Sequence, residues 1–324
     1  MVILANDGIS PSGLAALRSA GHTVFTEAVA AADLASFIQR EGVECLLVRS
    51  ATQVREPLIA ACPGLRYIGR GGVGTDNIDV AFARAQGLEV FNTPAASSQS
   101  VAELVMAHLF GMARFLHDSN RKMPAASDAA SFNALKKAYG AGTELAGKTL
   151  AVVGFGRIGQ AVARYALGCG MEVLAVDSGR GSLGETVEVV CQVGKTAVPV
   201  QVEVVGLDAA LKRADAITLH VPAQASGAPV LGAAEFNAVR PGLLLVNAAR
   251  GGVIDEDALL AALENGKVRA AALDVFVGEP APRADLLAHP RVSLTPHTGA
   301  ATSEAQDRIG TELAEIIAGF SAAH

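Results

Sequence analysis

The chain has 324 residues, a hydrophobic share of 51% with few aromatic side chains, and a formal net charge of −6. This length predicts two domains of roughly 100 to 200 residues each, and the Ala, Val, Leu and Gly content suits helices packed on parallel sheets. The acidic balance argues against a nucleic-acid partner, so a small anionic substrate would need locally placed arginine and lysine side chains.

The sequence shows no sign of a membrane segment, an export signal or a metal site. The cysteines have neither a C-x-x-C pair nor metal-ligand spacing, so we expect buried free thiols in a reducing compartment; they are Cys45, Cys62, Cys169 and Cys191. The N-terminus lacks the basic stretch and long apolar core of a signal peptide. The most apolar helical stretch, residues 101–115, contains Glu103, His108 and Arg114. We therefore expect a cytoplasmic protein.

In the first hundred residues, short Val/Ile/Leu runs alternate with Ala-rich stretches of helical spacing. Strands are predicted at Val2–Ala5, Cys45–Val48 and residues 67–69 and 88–91, with a helix at Pro11–Ser19. A glycine-rich turn is predicted at residues 71–74. This βα rhythm predicts one α/β unit with a flavodoxin-like sheet.

A long helix is predicted to follow this unit. It runs from Ser98 or Ser100 to about Arg121, with the serine as N-cap and Glu103 three residues after Ser100. The Ala- and Ser-rich residues 123–142 are predicted to form a surface excursion.

A second α/β unit begins at Lys148 and repeats the same rhythm. Six strands are predicted, the number of a doubly wound Rossmann domain, at residues 149–153, 172–176, 216–219, 243–246, 270–273 and 292–294. The terminal helix, residues 302–320, could pack back onto the first unit. We therefore expect a discontinuous substrate domain of residues 1–98 and 297–324, and a dinucleotide-binding domain of residues 99–296.

The glycine loop GFGRIG lies between an apolar strand and a helix predicted at residues 160–167. Gly154 permits the tight turn, Gly156 lets the backbone approach a pyrophosphate, and Gly159 lets helix and strand pack closely. Asp177 ends the next strand, where a carboxylate binds the adenosine ribose, which favours NAD over NADP. Arg180 nearby could tolerate a 2′-phosphate. The plain alternative is a tight glycine turn with Asp177 as a strand-end cap, and the combined spacing favours the cofactor.

Three polar side chains follow late strands of the second unit. Arg250, Glu279 and His297 each come after an apolar run, at the sheet edge where doubly wound folds bind ligands. Histidine titrates near neutral pH and can take a hydroxyl proton, and a carboxylate beside it fixes its tautomer. An arginine can bind a substrate carboxylate through two hydrogen bonds. Singly, each residue fits a capping, exposed or loop position, but their shared placement favours catalysis.

Four motifs occur in the order GFGRIG, NAARGGVID, AALDVF followed by EP, and TPHTGAATSEAQ. This order resembles the D-2-hydroxyacid dehydrogenase family over nearly the whole chain. The resemblance implies that Arg250 anchors the substrate, that Glu279 and His297 are the acid–base pair, and that Asp274 lies on the nicotinamide side. It also implies NAD as cofactor, with contacts from Val73, Arg157, Ile158, Asp177, Val221, Ala248, His297, Gly299 and Ala300.

Further segments resemble the D-3-phosphoglycerate dehydrogenase branch of this family, namely VRSAT at 48–52, GRGGVGTDN at 69–77, GTEL at 142–145 and SEAQ at 303–306. The resemblance implies NAD-dependent oxidation of 3-phospho-D-glycerate to 3-phosphohydroxypyruvate, the first step of serine biosynthesis. A phosphorylated substrate needs cations from the first domain. The expected substrate contacts are Arg49, Ser50, Arg70, Gly71, Gly72, Val73, Arg250 and His297. Lys136 and Lys137 are weaker candidates that equally fit a solvated face.

Two other functions stay open. The same chemistry could act on glyoxylate, hydroxypyruvate or D-lactate, although lactate-type relatives carry an aromatic residue soon after the histidine, where residues 299–301 are Gly-Ala-Ala. A formate dehydrogenase would have Gln in place of Glu279. The other alternative is a NAD-sensing, corepressor-like binding protein; such relatives carry a Trp after the histidine, and this chain has no Trp. The family and the long helix suggest a homodimer.

Residues 186–205 depart from the usual connection in this family. Two apolar runs, at residues 186–193 and 198–205, are joined through Gly194 and Lys195 and predict a β-hairpin with one apolar face. We hypothesise that the hairpin packs over the adenosine side of the cofactor or against a partner subunit. Because the chain ends at His324, the resemblance implies a short form without a C-terminal regulatory domain.

Overall fold

The computed structural model describes residues 1–179 and 181–322. The chain divides into two compact units, one formed by Met1–Ser100 with the segment that begins at Ala300, the other by Val101–Gly299. Within the described ranges, no helix is both long and apolar enough to cross a membrane.

The first unit is built on a five-stranded sheet in the order β2-β1-β3-β4-β5. Its elements are β1 (Val2–Ala5), α1 (Pro11–Ser19), β2 (Thr23–Phe25), α2 (Leu34–Glu41), β3 (Cys45–Val48), α3 (Glu56–Ala61), β4 (Tyr67–Arg70), α4 (Val80–Ala85) and β5 (Glu89–Asn92). Every recorded strand pair is parallel. This order is that of flavodoxin-like folds, so the predicted fold class of the first unit is confirmed.

Both faces of this sheet are buried, as the short apolar runs require. Leu4 and Leu46 belong to the core on one face, and Ile3 and Leu47 to the core on the other. Such alternation follows from the two-residue period of a strand. The sequence analysis missed β2, which spans three residues and has one buried side chain.

The second unit follows, and its elements are α5 (Ser98–Ala113), α6 (Leu116–Lys122), a 3₁₀ turn (Met123–Ala125), α7 (Ala129–Ala138), β6 (Thr149–Val153), α8 (Arg157–Gly168), β7 (Glu172–Val176), β8 (Thr186–Val193), β9 (Thr196–Val204), α9 (Leu207–Arg213), β10 (Ala216–Leu219), α10 (Ala233–Ala238), β11 (Leu243–Asn247), α11 (Glu256–Glu264), β12 (Val268–Leu273), α12 (Ala284–Leu287) and β13 (Val292–Leu294). In the part of the chain that the structure describes, the strands form one eight-stranded sheet, β13-β12-β11-β10-β6-β7-β9-β8. Its six predicted strands are all present, and the Rossmann fold class is confirmed.

The hairpin of residues 186–205 belongs to this sheet, so the prediction of six strands was too low. β9 pairs in parallel with β7, and β8 pairs antiparallel with β9 along the edge. Its inner side chains, including Val189 and Val202, are buried in the same core as α8. The chain's own core therefore covers much of the predicted apolar face, while Val190, Val193 and Val198 stay exposed. That the cofactor or a partner subunit covers the rest of the hairpin stays a prediction.

The predicted long helix is broken. α5 ends at Ala113, and Phe115 adopts a left-handed conformation with φ of 54° before α6 begins. The Ala113 carbonyl oxygen accepts a hydrogen bond from the Thr143 amide at 2.9 Å, where a continuing helix would have supplied its own amide. No alternation in the sequence marks this break, and the bond that accompanies it comes from a residue far along the chain.

The excursion of residues 123–142 is exposed as predicted, and it contains α7. Asp128 caps this helix by accepting from the Ser131 amide at 2.7 Å. The cysteines are free thiols; Cys45, Cys62 and Cys191 are buried, but Cys169 is partly exposed, contrary to the expectation for it.

α13 (Ser303–Ala322) returns to the first unit, where it crosses α1. Gly13 of α1 and Gly310 of α13 meet at the crossing, and a Cβ on Gly13 would lie 2.6 Å from the Gly310 backbone. The two helices approach this closely because neither glycine carries a side chain.

We expect Gly13→Ala to lower the free energy of unfolding of the chain by about 1–3 kcal/mol, because the methyl group overpacks the crossing. Gly319→Ala in α13, the helix that crosses α1, is the matched control, since a Cβ there meets nothing within 4 Å among the described residues. It should stabilise the chain by about 0.5–1 kcal/mol through helix propensity. Urea denaturation of both variants measures the difference, and equal midpoints would contradict the proposed crossing.

Candidate active site

The glycine loop connects β6 to α8, and each glycine has a distinct steric reason. Gly154 has φ of 92°, and a Cβ there would collide with the His220 carbonyl oxygen. A Cβ on Gly159 would collide with the Gly154 carbonyl oxygen. A Cβ on Gly156 meets nothing within 4 Å among the described residues. The first and third glycines therefore serve packing, and the second leaves open space beside the helix start.

α8 begins at Arg157, three residues before the predicted helix start, so Ile158 and Gly159 lie in its first turn. Gly156 is its N-cap residue and makes no side-chain capping bond. The amide groups of this first turn are thus free to bind an anion, and the positive end of the helix dipole adds to the attraction.

Asp177 follows β7 and is hydrogen-bonded to the loop. Its Oδ2 accepts from the Phe155 amide at 2.7 Å, and its Oδ1 accepts from the Gly179 amide at 2.8 Å. The carboxylate therefore holds the turn and still has lone pairs for two ribose hydroxyls. Arg180, which the sequence analysis considered for a 2′-phosphate, lies outside the described residues.

The loop fits a dinucleotide. The open space at Gly156, the uncapped helix start and the carboxylate of Asp177 together offer what a pyrophosphate and an adenosine ribose require. Val221 lines the loop, since its Cγ1 would lie 2.8 Å from a Cβ on Gly154, and Ala248 follows β11 at the same edge of the sheet.

Arg250 is presented by a tight turn after β11. The Asn247 side chain holds this turn: its Nδ2 donates to the Arg250 carbonyl oxygen at 3.0 Å, and its Oδ1 accepts from the Ala249 amide at 3.1 Å. Gly251 has no room for a side chain, because a Cβ there would collide with the Phe276 carbonyl oxygen. The buried Asn247 is a positioning residue that the sequence analysis quoted within a motif without assigning it a role.

His297 and Glu279 form a hydrogen-bonded pair. His297 Nδ1 lies 2.8 Å from Glu279 Oε2, and Glu279 Oε1 accepts from the Phe276 amide at 2.8 Å. With Arg250, both line a cavity of about 330 Å³. The Nδ1–H of His297 donates to the carboxylate, so its Nε2 carries the lone pair that can accept a proton. The structure thus brings all three predicted residues together.

The turn that carries His297 is organised by Asp274. This buried carboxylate accepts from the Thr295 hydroxyl at 2.7 Å and from the amides of Thr298 and Gly299, each at 2.8 Å. His297 itself has φ of 53°, a left-handed conformation that non-glycine residues rarely adopt. Asp274 was expected beside the nicotinamide; the hydrogen bonds that its carboxylate makes to Thr295, Thr298 and Gly299 all go to this turn.

Two histidines near these strand ends, His108 and the partly buried His220, were not singled out from the sequence. His220 follows β10, its Nε2 lies 2.9 Å from the Thr218 hydroxyl, and burial lowers its pKa to about 3. His108 of α5 bonds to Ser293 and Thr295, and burial is the main cause that lowers its pKa. Apolar periodicity could not reveal the contacts of His108, because its partners lie far along the chain, on β13 and in the turn that follows it.

The substrate residues expected from the first domain lie on two loops of the first unit. Arg49 and Ser50 follow β3, and Gly71 to Val73 follow Arg70 at the end of β4. The Asn77 side chain donates to the Arg49 carbonyl oxygen at 2.8 Å, and Gly72, with φ of 137°, leaves space for the Arg70 guanidinium. Ala300 begins the second segment of this unit. Lys136 and Lys137 are exposed on α7 of the second unit.

A family model for the NAD-binding domain of D-isomer specific 2-hydroxyacid dehydrogenases matches residues 106–299. The chain belongs to this family. The predictions of family, of oxidoreductase class and of NAD as the cofactor of this domain are confirmed at this level. The matched residues include the glycine loop, Arg250, Glu279 and His297.

Relatives with known names share long stretches of the sequence. The chain is 38% identical over 316 residues to the D-3-phosphoglycerate dehydrogenase of Mycobacterium tuberculosis, covering 98% of this chain and 56% of that one. It is 42% identical over 278 residues to the hydroxypyruvate reductase of Thermotoga maritima, covering 85% and 84%. The chain thus spans little more than half the length of the first of these relatives.

A solved structure shares the fold. The NADPH-dependent glyoxylate/hydroxypyruvate reductase from Sinorhizobium meliloti, in complex with NADP and malonate, superposes with a TM-score of 0.77 at 27% identity, covering 99% of this chain and 93% of that one. Members of the family with this fold therefore differ in both coenzyme and substrate.

We expect Gly156→Ala to weaken NADH binding by about tenfold or more, because the added methyl group enters the space beside the uncapped helix start. The unfolding midpoint should not fall, since that methyl group touches no described atom. Gly168→Ala, at the other end of α8, is the matched control with equally open surroundings. Titration of NADH fluorescence measures both, and unchanged affinity in Gly156→Ala would exclude this loop as the cofactor cradle.

Proposed function

We propose that the chain oxidises a D-2-hydroxy acid to the 2-keto acid with NAD as hydride acceptor. The observation that carries this proposal is the hydrogen-bonded pair of His297 and Glu279 in one cavity with Arg250. Oxidation of an α-hydroxy acid needs a base that takes the hydroxyl proton and a cation that binds the carboxylate. His297, held by the Glu279 carboxylate, and the Arg250 guanidinium are groups of these two kinds.

Each residue has one task in this reaction. Arg250 binds the substrate carboxylate and orients the neighbouring hydroxyl. His297 Nε2 takes the hydroxyl proton as the carbonyl forms, and Glu279 stabilises the resulting imidazolium through Nδ1–H. The bound NAD supplies the acceptor for the hydride. Asn247 and Asp274 hold Arg250 and His297 in place and touch no reacting atom.

We propose 3-phospho-D-glycerate as the substrate, giving 3-phosphohydroxypyruvate. The name of the mycobacterial relative supports this choice, because the match extends over 98% of this chain. The two arginines of the first unit, Arg49 and Arg70, would bind the phosphate as charge-assisted partners. The phosphate would give these two arginines a charged partner that an unphosphorylated hydroxy acid lacks.

A second candidate is reduction of hydroxypyruvate or glyoxylate by the same residues in the reverse direction. The match to the Thermotoga maritima hydroxypyruvate reductase supports it, with 42% identity over most of both chains. Both candidates share the roles of Arg250, Glu279 and His297, and they differ in the need for a phosphate-binding group.

We further propose that the protein is a cytoplasmic homodimer. The segment from α5 to α7 exposes several large apolar side chains, namely Phe110, Leu116, Met123 and Phe132. Neither α6 nor α7 has a buried residue. A second copy of the chain could cover these side chains, as large exposed apolar surfaces require.

We expect His297→Gln to lower kcat/KM by about a thousandfold while NADH binding changes little, because only proton transfer is lost. His117→Gln on exposed α6 is the control and should keep full activity. The assay follows NADH absorbance with both enantiomers of several 2-hydroxy acids and with the matching 2-keto acids. Turnover of the L-enantiomers, or retained activity in His297→Gln, would refute the proposed reaction.

We expect Arg70→Met to lower kcat/KM for 3-phospho-D-glycerate by about tenfold to a hundredfold, as loss of a charged hydrogen bond implies. Turnover of glyoxylate should change by less than about threefold, since it has no phosphate. Arg66→Met, an exposed arginine of the same unit, is the matched control. An equal loss on both substrates would argue against phosphate binding by Arg70 and favour the second candidate.

A further inference from the structure

A buried histidine connects α5 to the turn that carries His297. His108 is 6% exposed, its Nδ1 lies 3.1 Å from the Ser293 hydroxyl, and its Nε2 lies 3.2 Å from the Thr295 hydroxyl. Thr295 continues the chain of hydrogen bonds to Asp274. All these residues belong to the second unit. None of them takes part in the proposed transfer of the proton or the hydride.

The direction of every hydrogen bond in this chain follows from its last member. Asp274 is a carboxylate and only accepts, so the one hydroxyl proton of Thr295 must point to Asp274. Thr295 then accepts from His108, which places the ring proton on Nε2. His108 Nδ1 is left as an acceptor for the Ser293 hydroxyl. The neutral ring with this tautomer satisfies all members at once.

The other end of the chain reaches the base. Asp274 accepts from the amides on the C-terminal side of His297, and the Thr295 carbonyl oxygen accepts from the His297 amide at 3.0 Å. The residues on both sides of His297 are therefore fixed by Thr295, a partner of His108, and by Asp274, a partner of Thr295. A base in a left-handed conformation needs such support from its surroundings.

We propose that His108 is a positioning residue for the base His297, acting through the hydroxyl of Thr295 and the carboxylate of Asp274. This inference rests on the proposed function of His297 as the base. His108 touches neither substrate nor cofactor in this proposal. Its burial lowers its pKa and keeps the ring in the neutral form, although the charge of Asp274 opposes and that of His117 reinforces this effect.

The experiment compares His108→Leu with the double variant His108→Leu/Ser293→Val. The single variant leaves the partly buried Ser293 hydroxyl without its partner, and the double variant removes that hydroxyl as well. We expect kcat to fall about tenfold to a hundredfold in both variants, because a displaced base transfers protons poorly. The double variant should unfold at the same temperature as the unsubstituted protein, but its kcat should stay low.

One further measurement and one control variant separate positioning from packing. Hydrogen exchange of the amides of Thr298 and Gly299, followed by mass spectrometry, should be faster in both variants at equal global stability. His22→Leu removes a buried imidazole from the first unit and is the matched control, with unchanged kcat and unchanged exchange at these amides.

The result that would overturn the proposal is a double variant with parental kcat and parental exchange at residues 298 and 299. This failure is distinct from failure of the proposed function, in which the parent chain itself would oxidise none of the hydroxy acids. In that case faster exchange in the variants would still support the link from His108 to the turn, and unchanged exchange would refute it.

Discussion

The carboxylate of Asp274 is 2% exposed and accepts hydrogen bonds from one hydroxyl and two backbone amides, all from residues 295–299. An ionised acceptor makes such bonds stronger than neutral partners do, and each buried amide left without one would cost about 1–3 kcal/mol. His297 lies inside this segment with a left-handed backbone, a conformation that costs about 1–3 kcal/mol unless the surroundings compensate for it. The hydrogen bonds that Asp274 accepts from this segment compensate for the cost of that conformation. The orientation of the base toward Glu279 therefore depends on a carboxylate that binds the backbone and the threonine around the base.

The parallel sheet explains why residues far apart in the sequence meet. Asn247 at the end of β11 is level with Leu273 of β12, which is level with Leu294 of β13. The three strands thus end at the same edge of the sheet, and the loops that follow them carry Arg250, Glu279 and His297. Because the sheet is packed between cores on both faces, the position of this edge is fixed. The reactive groups could then be supplied by short turns, each held by one buried polar side chain such as Asn247 or Asp274.

Much of this arrangement could be predicted from the sequence, because it depends on local patterns. Apolar runs predicted the strands of both sheets except the short β2, and strand-to-helix spacing identified the glycine loop and Asp177. The break at Phe115 coincides with a hydrogen bond from Thr143, and β9 pairs with β7 at two positions, and neither long-range contact leaves a local pattern. His108 illustrates the limit within the site. On a helix rich in apolar residues it fits a core position, and only its distances to the hydroxyls of Ser293 and Thr295 reveal a directional contact.

The polar groups near the base divide by exposure, and the division suits their tasks. His297 and Glu279 have side chains that are 40% and 35% exposed, so a substrate can reach them. Asp274, Thr295 and His108 lie behind them, where only Asp274 carries a charge. A protonated His108 would lose its hydration on burial, and attraction to the Asp274 carboxylate offsets this desolvation cost only when the geometry is excellent. A neutral imidazole avoids the desolvation cost. It also has one donor and one acceptor, so the hydrogen bonds from Ser293 to Asp274 can run in a single direction. Asp274, Thr295 and His108 thus hold the turn without exchanging protons. The exposed pair of His297 and Glu279 handles the proton that the reaction moves.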